Sequence, residues 1–279
     1  MKISAATTNI LALASEKPGT RATAKTLTDP ETWKTPASAV RYGSRIHSPF
    51  SGGFPGGKEG SGVPQTIINY IPAHRRYFEL FLGGGTIARW KRPAERSILC
   101  DIDPEVISAW EKIETPDSFE ITVDDWFRVY YHIGEFQPDW FFYLDPPYPV
   151  SVRSSKKNLY RAEMKSRKKH EFFLQCWSDV ESHVMIFSYR NPLYDEILKG
   201  WNVVEFDSMT RGGIRREAIY MNYNIEDYPL HDYRYLGEGR RERERIREKV
   251  KGYKKRIKRL PRREREAILR YIQSNFFQL

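Results

Sequence analysis

The sequence predicts an α/β fold, with a mostly parallel sheet, an antiparallel last strand and a C-terminal helical extension. Segments typical of strands alternate with segments typical of helices over most of the chain, which is the pattern of a parallel-rich sheet covered by helices. The run Trp-Phe-Phe-Tyr-Leu at 140–144 is apolar at every position and indicates a strand buried on both faces. Near the C-terminus, apolar residues recur at the spacings of an amphipathic helix.

The individual elements follow from these patterns. The predicted helices are 65–71, 86–90, 104–113, 167–181 and 192–199, and the predicted strands are 77–82, 97–100, 140–144, 184–188, 202–206 and 217–222. The first helix ends at Pro72, because proline lacks the N–H that a continuing helix needs. The last two strands are joined by Arg211-Gly212-Gly213, and this short connection favours antiparallel pairing.

Composition divides the chain into three regions. Residues 1–40 are rich in Ser, Thr, Ala and Pro without a sustained period, so we expect a flexible N-terminal arm. Residues 41–235 hold the alternating strands and helices and form the predicted main domain, while 236–279 form a basic helical extension. The length of 279 residues and the mass of 32.9 kDa fit one large domain with such attachments.

The cysteine content and the hydropathy narrow the class of protein. Cys100 and Cys176 are the only cysteines, so a disulfide framework and a cysteine zinc site are excluded and no metal is expected. No apolar run approaches the length of roughly 18 residues that a membrane helix requires. The N-terminal residues lack the charged, apolar and cleavage regions of a secretory signal. We therefore expect a reduced, cytoplasmic protein without membrane contact.

Positive charge is concentrated in two segments. Residues 238–271 contain 16 Lys or Arg and 6 Asp or Glu, and so account for the whole net charge of +10. Residues 153–169 contain eight basic residues and a single acid, Glu163. Such clusters fit a polyanionic partner, above all a nucleic acid, and the alternative is a solvated helical face.

The C-terminal segment predicts two helices separated at Pro261. The apolar stripe of the first consists of Ile246, Val250, Tyr253, Ile257 and Leu260, and that of the second consists of Ala267, Ile268, Tyr271 and Ile272. Two heptads are too few to indicate a coiled coil. Three roles stay open: a helical hairpin folded onto the main domain, a DNA clamp, or a self-association element.

The tetrapeptide Asp145-Pro146-Pro147-Tyr148 directly follows the predicted strand 140–144. The two prolines stop the strand and stiffen the backbone, so a carboxylate, a carbonyl and an aromatic ring are held at the carboxyl end of the strand. Ligands of open α/β sheets bind at that edge. A planar group with an amine would suit this arrangement, because Asp145 and a proline carbonyl can accept its hydrogens while Tyr148 stacks on its face.

Two further patterns stand at the ends of the preceding strands. Glu79-Leu80-Phe81-Leu82-Gly83-Gly84-Gly85 ends one strand and opens a helix, where glycines let a ligand approach the backbone; a simple tight turn is the alternative. Asp101 ends the next strand, about where an acid reaches the ribose hydroxyls in a nucleoside site. Asp103 is better placed to cap the helix that starts at Pro104.

Together these motifs are similar to those of Dam-type DNA adenine N6-methyltransferases, in particular the short forms found in phages and prophages. The resemblance spans about residues 45–225 and is carried by Phe54-Pro55-Gly56-Gly57-Lys58, Glu79 to Gly85, Asp101-Ile102-Asp103, Asp145-Pro146-Pro147-Tyr148, 160–164, 188–194 and 216–223. It implies a Rossmann-like methyltransferase sheet and S-adenosylmethionine as cofactor. The tetrapeptide is specific for amino methylation, and less specific for adenine over cytosine.

By position, the resemblance implies a set of cofactor contacts. These are Phe54, Lys58, Glu79, Phe81, Gly83, Gly85, Asp101 and Asp124. Lys58 is expected near the cofactor carboxylate, and the glycine turn around the methionine part. Asp101 is expected to accept hydrogen bonds from the ribose. Asp124 is expected near the adenine of the cofactor, although the neighbouring Asp125 competes for this assignment.

The resemblance assigns catalysis to Asp145, Pro146, Pro147 and Tyr148. The exocyclic nitrogen of adenine is a poor nucleophile, because its lone pair is delocalised into the ring. Hydrogen bonds to Asp145 and to the Pro146 carbonyl would localise that pair, so positioning and electrostatics dominate the rate. Tyr148 would stack on the target base after it has left the duplex.

Target recognition has no obvious domain in this chain. Long relatives insert a recognition domain before the catalytic motif, whereas here only about twenty residues separate Asp125 from Asp145. Sequence reading is then expected in basic loops: the first candidates for DNA binding are Arg153, Lys156, Lys157 and Arg161, and the second are Arg211, Arg215 and Arg216. Most contacts of this kind go to phosphates rather than to bases.

The predicted function is therefore transfer of a methyl group to adenine N6 in DNA. Methylation of cytosine N4 is the nearest alternative, because the pocket argument concerns an amine and not a ring. An RNA target is a further alternative. A non-catalytic DNA-binding protein on a methyltransferase scaffold belongs to a different class, and the complete set of motifs argues against it.

Overall fold

The computed structural model describes residues 46–153, 158–210 and 213–276. Its strands are β1 Arg76–Glu79, β2 Arg96–Asp101, β3 Phe119–Val123, β4 Trp140–Leu144, β5 His183–Ser188, β6 Asn202–Thr210 and β7 Gly213–Met221. Its α-helices are α1 Val63–Ile68, α2 Thr86–Trp90, α3 Pro104–Trp110, α4 Trp126–Ile133, α5 Arg167–Trp177, α6 Pro192–Ile197, α7 Arg240–Arg259 and α8 Arg262–Phe276. The predicted N-terminal arm, 1–40, lies outside the described residues.

The strands form one seven-stranded sheet in the order β3–β2–β1–β4–β5–β7–β6. Neighbours from β3 to β5 are parallel, and β7 is antiparallel to both β5 and β6. This confirms the predicted Rossmann-like α/β fold and its antiparallel last strand. The strand order reverses between β1 and β4, and such a switch point opens a crevice at the carboxyl ends of the two strands.

The central strand β4 is buried along its whole length, as its apolar run predicts. Phe141 and Tyr143 belong to the main core, together with residues of β1, β2, β5 and β7. Phe142 points to the other face, where its ring stacks on Phe78 at 4.3 Å and packs against Trp177 at 4.9 Å. Both faces of the sheet are therefore covered, which fixes the carboxyl end of β4 where the proline pair begins.

Several predicted boundaries differ from the structure. Helix α5 ends at Trp177, four residues before the prediction, and β6 and β7 are longer than predicted because they continue as a hairpin past the end of β5. Strand β3 and helix α4 were not predicted. Strand β3 is at the sheet edge and mostly half-buried, so its sequence lacks the uniform apolar character of β4.

The chain between β7 and α7 is fastened to the main domain. Ala73 donates a backbone hydrogen bond to Pro229 (2.7 Å), and the backbone N–H of Arg92 donates to the Asp232 carboxylate (2.8 Å). The Asn69 side chain donates to the Gly237 carbonyl at 3.1 Å. The position of the start of α7 is therefore fixed by the domain.

Helices α7 and α8 do not bury their apolar stripes against the domain. Helix α7 has no buried residue, and Val250 and Tyr253 are 60% and 62% exposed. Tyr271 of α8 is also mostly exposed. Ile246, Ile257 and Leu260 of the same stripe are half-buried, and the three predicted roles of these helices stay open. Within the described ranges, no helix has both the length and the apolar character to span a membrane.

Candidate active site

The glycine turn and the tetrapeptide lie side by side at the crevice of the sheet. Strands β1 and β4 are hydrogen-bonded neighbours, and Glu79 is level with Tyr143 in their register. The turn Gly83–Gly85 follows β1 and Asp145 follows β4 directly, so both emerge at the same edge. The two motifs that the sequence placed at strand ends are therefore brought together by the fold.

The turn requires glycine at two positions. Gly83 and Gly85 have φ values of +44° and +54°, a region that other residues rarely adopt. A Cβ atom on Gly85 would lie 2.3 Å from the Trp110 ring, and the Trp110 indole donates a hydrogen bond to the Gly83 carbonyl at 2.9 Å. Helix α3 therefore supports the turn from below.

Phe54 covers the turn from the other side. A Cβ atom on Gly83 would lie 2.6 Å from the Phe54 ring, and one on Gly84 would lie 3.1 Å from its Cβ. The Phe54 ring also packs against Phe50 at 5.0 Å. The N-terminal motif and the glycine turn thus form one continuous wall of the site.

Glu79 lies beneath the turn and is almost completely buried. Its carboxyl accepts hydrogen bonds from the Tyr77 hydroxyl (2.8 Å) and from the backbone N–H of Ala88 in α2 (3.2 Å). Burial raises the pKa of Glu79 to about 8, although these hydrogen bonds oppose the shift. Phe81, another predicted contact, is half-buried and packs edge-on against Phe173 of α5.

Asp101 ends β2 beside the turn. Its carboxylate accepts hydrogen bonds from the backbone N–H groups of Gly83 (2.8 Å) and Asp103 (2.9 Å), and burial raises its pKa. Two apolar side chains next to it, Ile102 and Val123, are 48% and 49% exposed. A carboxylate with free lone pairs beside an uncovered apolar surface is a suitable setting for a ribose and a planar base.

In each of the two acidic pairs, Asp101/Asp103 and Asp124/Asp125, the second aspartate caps a helix. Asp103 accepts from the Glu105 N–H and caps α3, as predicted, and Asp125 accepts from the Phe127 N–H and caps α4. Asp124 caps no helix: its carboxylate accepts a hydrogen bond from the Asp125 backbone N–H at 2.8 Å and lies 3.4 Å from the Arg128 guanidinium.

Four polar side chains form a tetrad at the crevice: Lys58 and Glu217 are buried, and Asp145 and Tyr148 are half-buried. The Lys58 ammonium lies 3.0 and 2.9 Å from the two carboxylate oxygens of Asp145 and 3.2 Å from the Glu217 carboxylate. It also donates to the Tyr148 hydroxyl at 2.8 Å, and that hydroxyl donates to Glu217 at 2.7 Å. Lys58 is therefore paired with the catalytic motif itself.

In the tetrad, burial and neighbouring charges shift the pKa of each ionisable group in opposite directions. Burial alone lowers the pKa of Lys58, but Asp145 and Glu217 together raise it well above its usual value. Burial raises the pKa of Asp145, and Lys58 opposes that shift. Burial also favours protonation of Glu217, yet Lys58 and the hydrogen bonds from Ser208 and Tyr148 keep its pKa below normal. We conclude that one ammonium faces two carboxylates.

Glu217 was not among the predicted site residues. It is the middle residue of β7 and directly precedes Ala218, which pairs with Ser188 at the carboxyl end of β5. Because β7 is antiparallel to β5, Glu217 lies at the carboxyl edge of the parallel strands. Its second oxygen accepts from the Ser208 hydroxyl at 2.5 Å. The available signal was its place in β7, where the polar half Gly-Ile-Arg-Arg-Glu changes to the apolar half Ala-Ile-Tyr-Met.

The side chain of Arg153, a predicted DNA contact, lies in a buried ion pair. Its guanidinium forms two hydrogen bonds to Glu163 (2.9 and 2.6 Å) in a pair whose side chains are 6% and 4% exposed. It also donates to the Tyr148 carbonyl at 2.5 Å. This placement favours a role in holding the segment after the tetrapeptide, and it removes Arg153 from the surface that phosphates can reach.

The other predicted DNA contacts differ in placement. Arg161 is exposed and lies 3.4 Å from Asp103 and 3.2 Å from Glu105. Arg216 is exposed and pairs with Asp207 on the β6–β7 hairpin, while Arg215 is half-buried on the face that also carries Glu217. Lys156, Lys157 and Arg211 lie outside the described residues.

Comparison with known proteins gives one family match. Residues 54–135 match the model of the D12 class N6 adenine-specific DNA methyltransferases. This range holds the N-terminal motif, the glycine turn and Asp101, and it ends before Asp145. No curated protein sequence matches the chain.

Several solved methyltransferase structures align with part of this chain. An rRNA methylase from Streptococcus thermophilus is 12% identical, with a TM-score of 0.36 and coverage of 59% of this chain and 96% of that one. The N-methyltransferase NodS from Bradyrhizobium japonicum is 11% identical, with a TM-score of 0.42 and coverage of 57% and 94%. At these values, the solved structures carry no argument about the family. Residues 54–135 are thus similar to the D12 class of N6 adenine-specific DNA methyltransferases.

Proposed function

We propose that this protein transfers a methyl group from S-adenosylmethionine to the exocyclic N6 of adenine in DNA. The observation that carries the proposal is the position of Asp145-Pro146-Pro147-Tyr148 at the carboxyl end of β4, one strand away from the glycine turn. A carboxylate acceptor of amine hydrogens then lies in the same crevice as a nucleoside-binding turn. The family match supports the choice of DNA and of adenine.

The residues at the crevice fit this cofactor. Gly83 and Gly85 supply a turn without side chains, and Asp101 would accept hydrogen bonds from the ribose. The exposed Ile102 and Val123 offer an apolar surface for the adenine ring. Phe54 and Phe81 would border the turn. Because Glu79 is enclosed by Tyr77 and Ala88, we propose that it supports the turn from beneath rather than touching the ligand.

Asp145 and Tyr148 would handle the target base. The cofactor supplies a methyl group on a positively charged sulfur. Asp145 would accept a hydrogen bond from the adenine amine, together with the Pro146 carbonyl, and so localise the nitrogen lone pair. Pro147 keeps the backbone of the motif rigid. Tyr148 would stack on the base outside the duplex, and such stacking contributes about 1–3 kcal/mol against the cost of flipping.

Several basic residues that are exposed or half-buried would contact the DNA backbone. Arg161 lies beside the acidic motif, and Arg215 and Arg216 lie on the β6–β7 hairpin, which extends past β5 at the crevice edge. The C-terminal helices supply the net charge of +10. Their exposed basic faces fit the closely spaced phosphates of a duplex.

Product analysis tests the proposal. The purified protein is incubated with S-adenosylmethionine and, separately, with duplex DNA or with RNA, and the nucleic acid is digested and its nucleosides identified by mass spectrometry. We expect N6-methyldeoxyadenosine in the DNA sample. N4-methyldeoxycytidine would instead establish the cytosine alternative, and a methylated nucleoside confined to the RNA sample would refute DNA as the substrate.

Calorimetry separates an enzyme from a non-catalytic binding protein. We expect heat of binding when S-adenosylmethionine is titrated into the protein, because the glycine turn and Asp101 are intact. DNA binding without cofactor binding would favour the non-catalytic alternative.

A further inference from the structure

We propose that Glu217 is a positioning residue for methyl transfer: it retains Lys58 when Asp145 exchanges that ammonium for the amine of the target base. The inference rests on the proposed function and assigns a new role at the same site. It concerns a residue that acts through Lys58 and Tyr148 rather than on the substrate directly.

The first step of the argument is that Asp145 is already engaged. Both of its carboxylate oxygens lie within 3.0 Å of the Lys58 ammonium. A target amine that donates to Asp145 must therefore compete with this ammonium. Asp145 must therefore release the ammonium before methyl transfer can occur.

The second step is that Lys58 needs another anion. Lys58 is only 7% exposed, and a buried ammonium without a partner carries a large desolvation penalty. Glu217 is the second carboxylate in contact, at 3.2 Å, and is itself buried. If Lys58 rotates away from Asp145 and keeps Glu217, the ammonium stays paired while Asp145 becomes available.

The third step is that Glu217 is held in place for this purpose. One carboxylate oxygen accepts from the Ser208 hydroxyl at 2.5 Å and the other from the Tyr148 hydroxyl at 2.7 Å. The antiparallel pair β6–β7 supplies both Ser208 and Glu217, so their relative position is set by the register of the hairpin. Through its hydroxyl, the ring of Tyr148 is oriented by the same carboxylate.

The isosteric variant Glu217→Gln tests the idea. Without the second anion, Lys58 is paired with Asp145 alone, and displacement of the ammonium leaves it buried and unpaired. We expect kcat to fall by about tenfold or more while the affinity for DNA, which depends on the backbone contacts, changes by less than about twofold. Glu205→Gln is the matched control, because Glu205 lies on β6 with an exposed side chain and should leave kcat unchanged.

A double-mutant cycle with Lys58→Met distinguishes positioning from a structural role. In the Lys58→Met background there is no ammonium to retain, so Glu217→Gln should cost much less than it does in the wild type. Base flipping gives a readout independent of turnover: 2-aminopurine placed beside the mapped target adenine should brighten less with Glu217→Gln, and the double variant should restore the signal.

The possible results distinguish a failure of this inference from a failure of the proposed function. Equal losses in both backgrounds, or an unchanged kcat in Glu217→Gln, would overturn the inference. If Glu217→Gln does not fold, Ser208→Ala weakens the hold on Glu217 and should shift kcat in the same direction by a smaller factor, and no shift would overturn it. A wild-type protein that methylates no DNA would refute the proposed function instead.

Discussion

Asp145 is a residue whose role depends on what it is paired with. Its carboxylate binds the Lys58 ammonium, and the proposed chemistry needs the same oxygens for the target amine. Burial raises the pKa of this acid, and the ammonium opposes that shift. This agrees with a reaction in which positioning and electrostatics, and not proton removal, determine the rate.

Asp145→Ala tests this role. We expect methylation to fall by a factor on the order of 10²–10³ or more, as when one group that stabilises a transition state is removed. The fold should persist because Lys58 keeps Glu217, and cofactor binding should be largely retained because the glycine turn and Asp101 are unchanged.

Turnover and calorimetry on the same preparation check the Asp145→Ala prediction. The control is Asp139→Ala, an exposed aspartate at the opposite end of β4, which should behave as the wild type. Turnover of Asp145→Ala at the wild-type rate would refute the role of the carboxylate.

At the residue scale, the sequence predicted single motifs better than their partners. The tetrapeptide and the glycine turn were recognisable because proline and glycine each favour particular backbone conformations. Glu217 was missed because it is 72 positions after Asp145 and meets it only through the antiparallel β7. Arg153 was assigned to DNA because its charge is visible in sequence, whereas its buried partner Glu163 follows ten residues later.

At the element scale, the glycine turn after β1 determines the shape of the crevice. Gly85→Ala should lower the free energy of unfolding by about 2–4 kcal/mol, since the new Cβ combines a positive φ with a contact at 2.3 Å to Trp110. Gly53→Ala is the control: Gly53 has a φ of +75° and open space around the position of a Cβ, so backbone strain of about 1 kcal/mol applies without the clash. Urea denaturation measures both, and equal losses would contradict the packing argument.

The buried carboxyl of Glu79, beneath the same turn, makes the stability of the folded protein depend on pH. Its pKa in the folded protein is about 8, against an ordinary value of 4.5, so the folded state binds the proton more tightly. The stability that this group contributes is complete below about pH 4.5 and is lost as the pH rises towards 8. The difference in melting temperature between wild type and Glu79→Gln should therefore change across this interval, to the disadvantage of the wild type at higher pH. A difference that is constant with pH would contradict the shift.

The buried elements were predicted more accurately than the exposed ones. Strand β4 was predicted within its observed bounds because every side chain is buried and apolar. Strand β3 was not predicted, because it alternates apolar and polar residues at the sheet edge. Helix α4 was not predicted either, and only Val129 in it is fully buried. The hairpin β6–β7 exceeded its prediction, since the part beyond β5 is polar and is stabilised by pairing between its own two strands.

At the scale of the whole molecule, the charge separates the chain into a balanced domain and a basic extension. Deletion of 238–279 should weaken DNA binding and reduce its salt dependence, because each phosphate contact adds about 0.9 to the slope of log affinity against log salt. Fluorescence anisotropy at several salt concentrations measures the slope. The cut leaves Gly237, and with it the contact to Asn69, in place.

A substitution variant separates charge from packing in the extension. The last eleven residues of α7, 249–259, contain seven basic residues and no acid: Lys249, Lys251, Lys254, Lys255, Arg256, Lys258 and Arg259. Their replacement by Gln keeps the helix and its apolar stripe, and it should reproduce most of the change in salt slope. An unchanged slope, with a change in sedimentation only after full deletion, would identify the extension as a self-association element.

The most direct test of the account follows the methyl group itself. Wild type and Asp145→Ala are each incubated with duplex DNA and S-adenosylmethionine whose transferable methyl carries deuterium, and the digested nucleosides are analysed by mass spectrometry. The account predicts deuterated N6-methyldeoxyadenosine from the wild type and almost none from the variant. Label on cytosine, or equal label from both proteins, would contradict it.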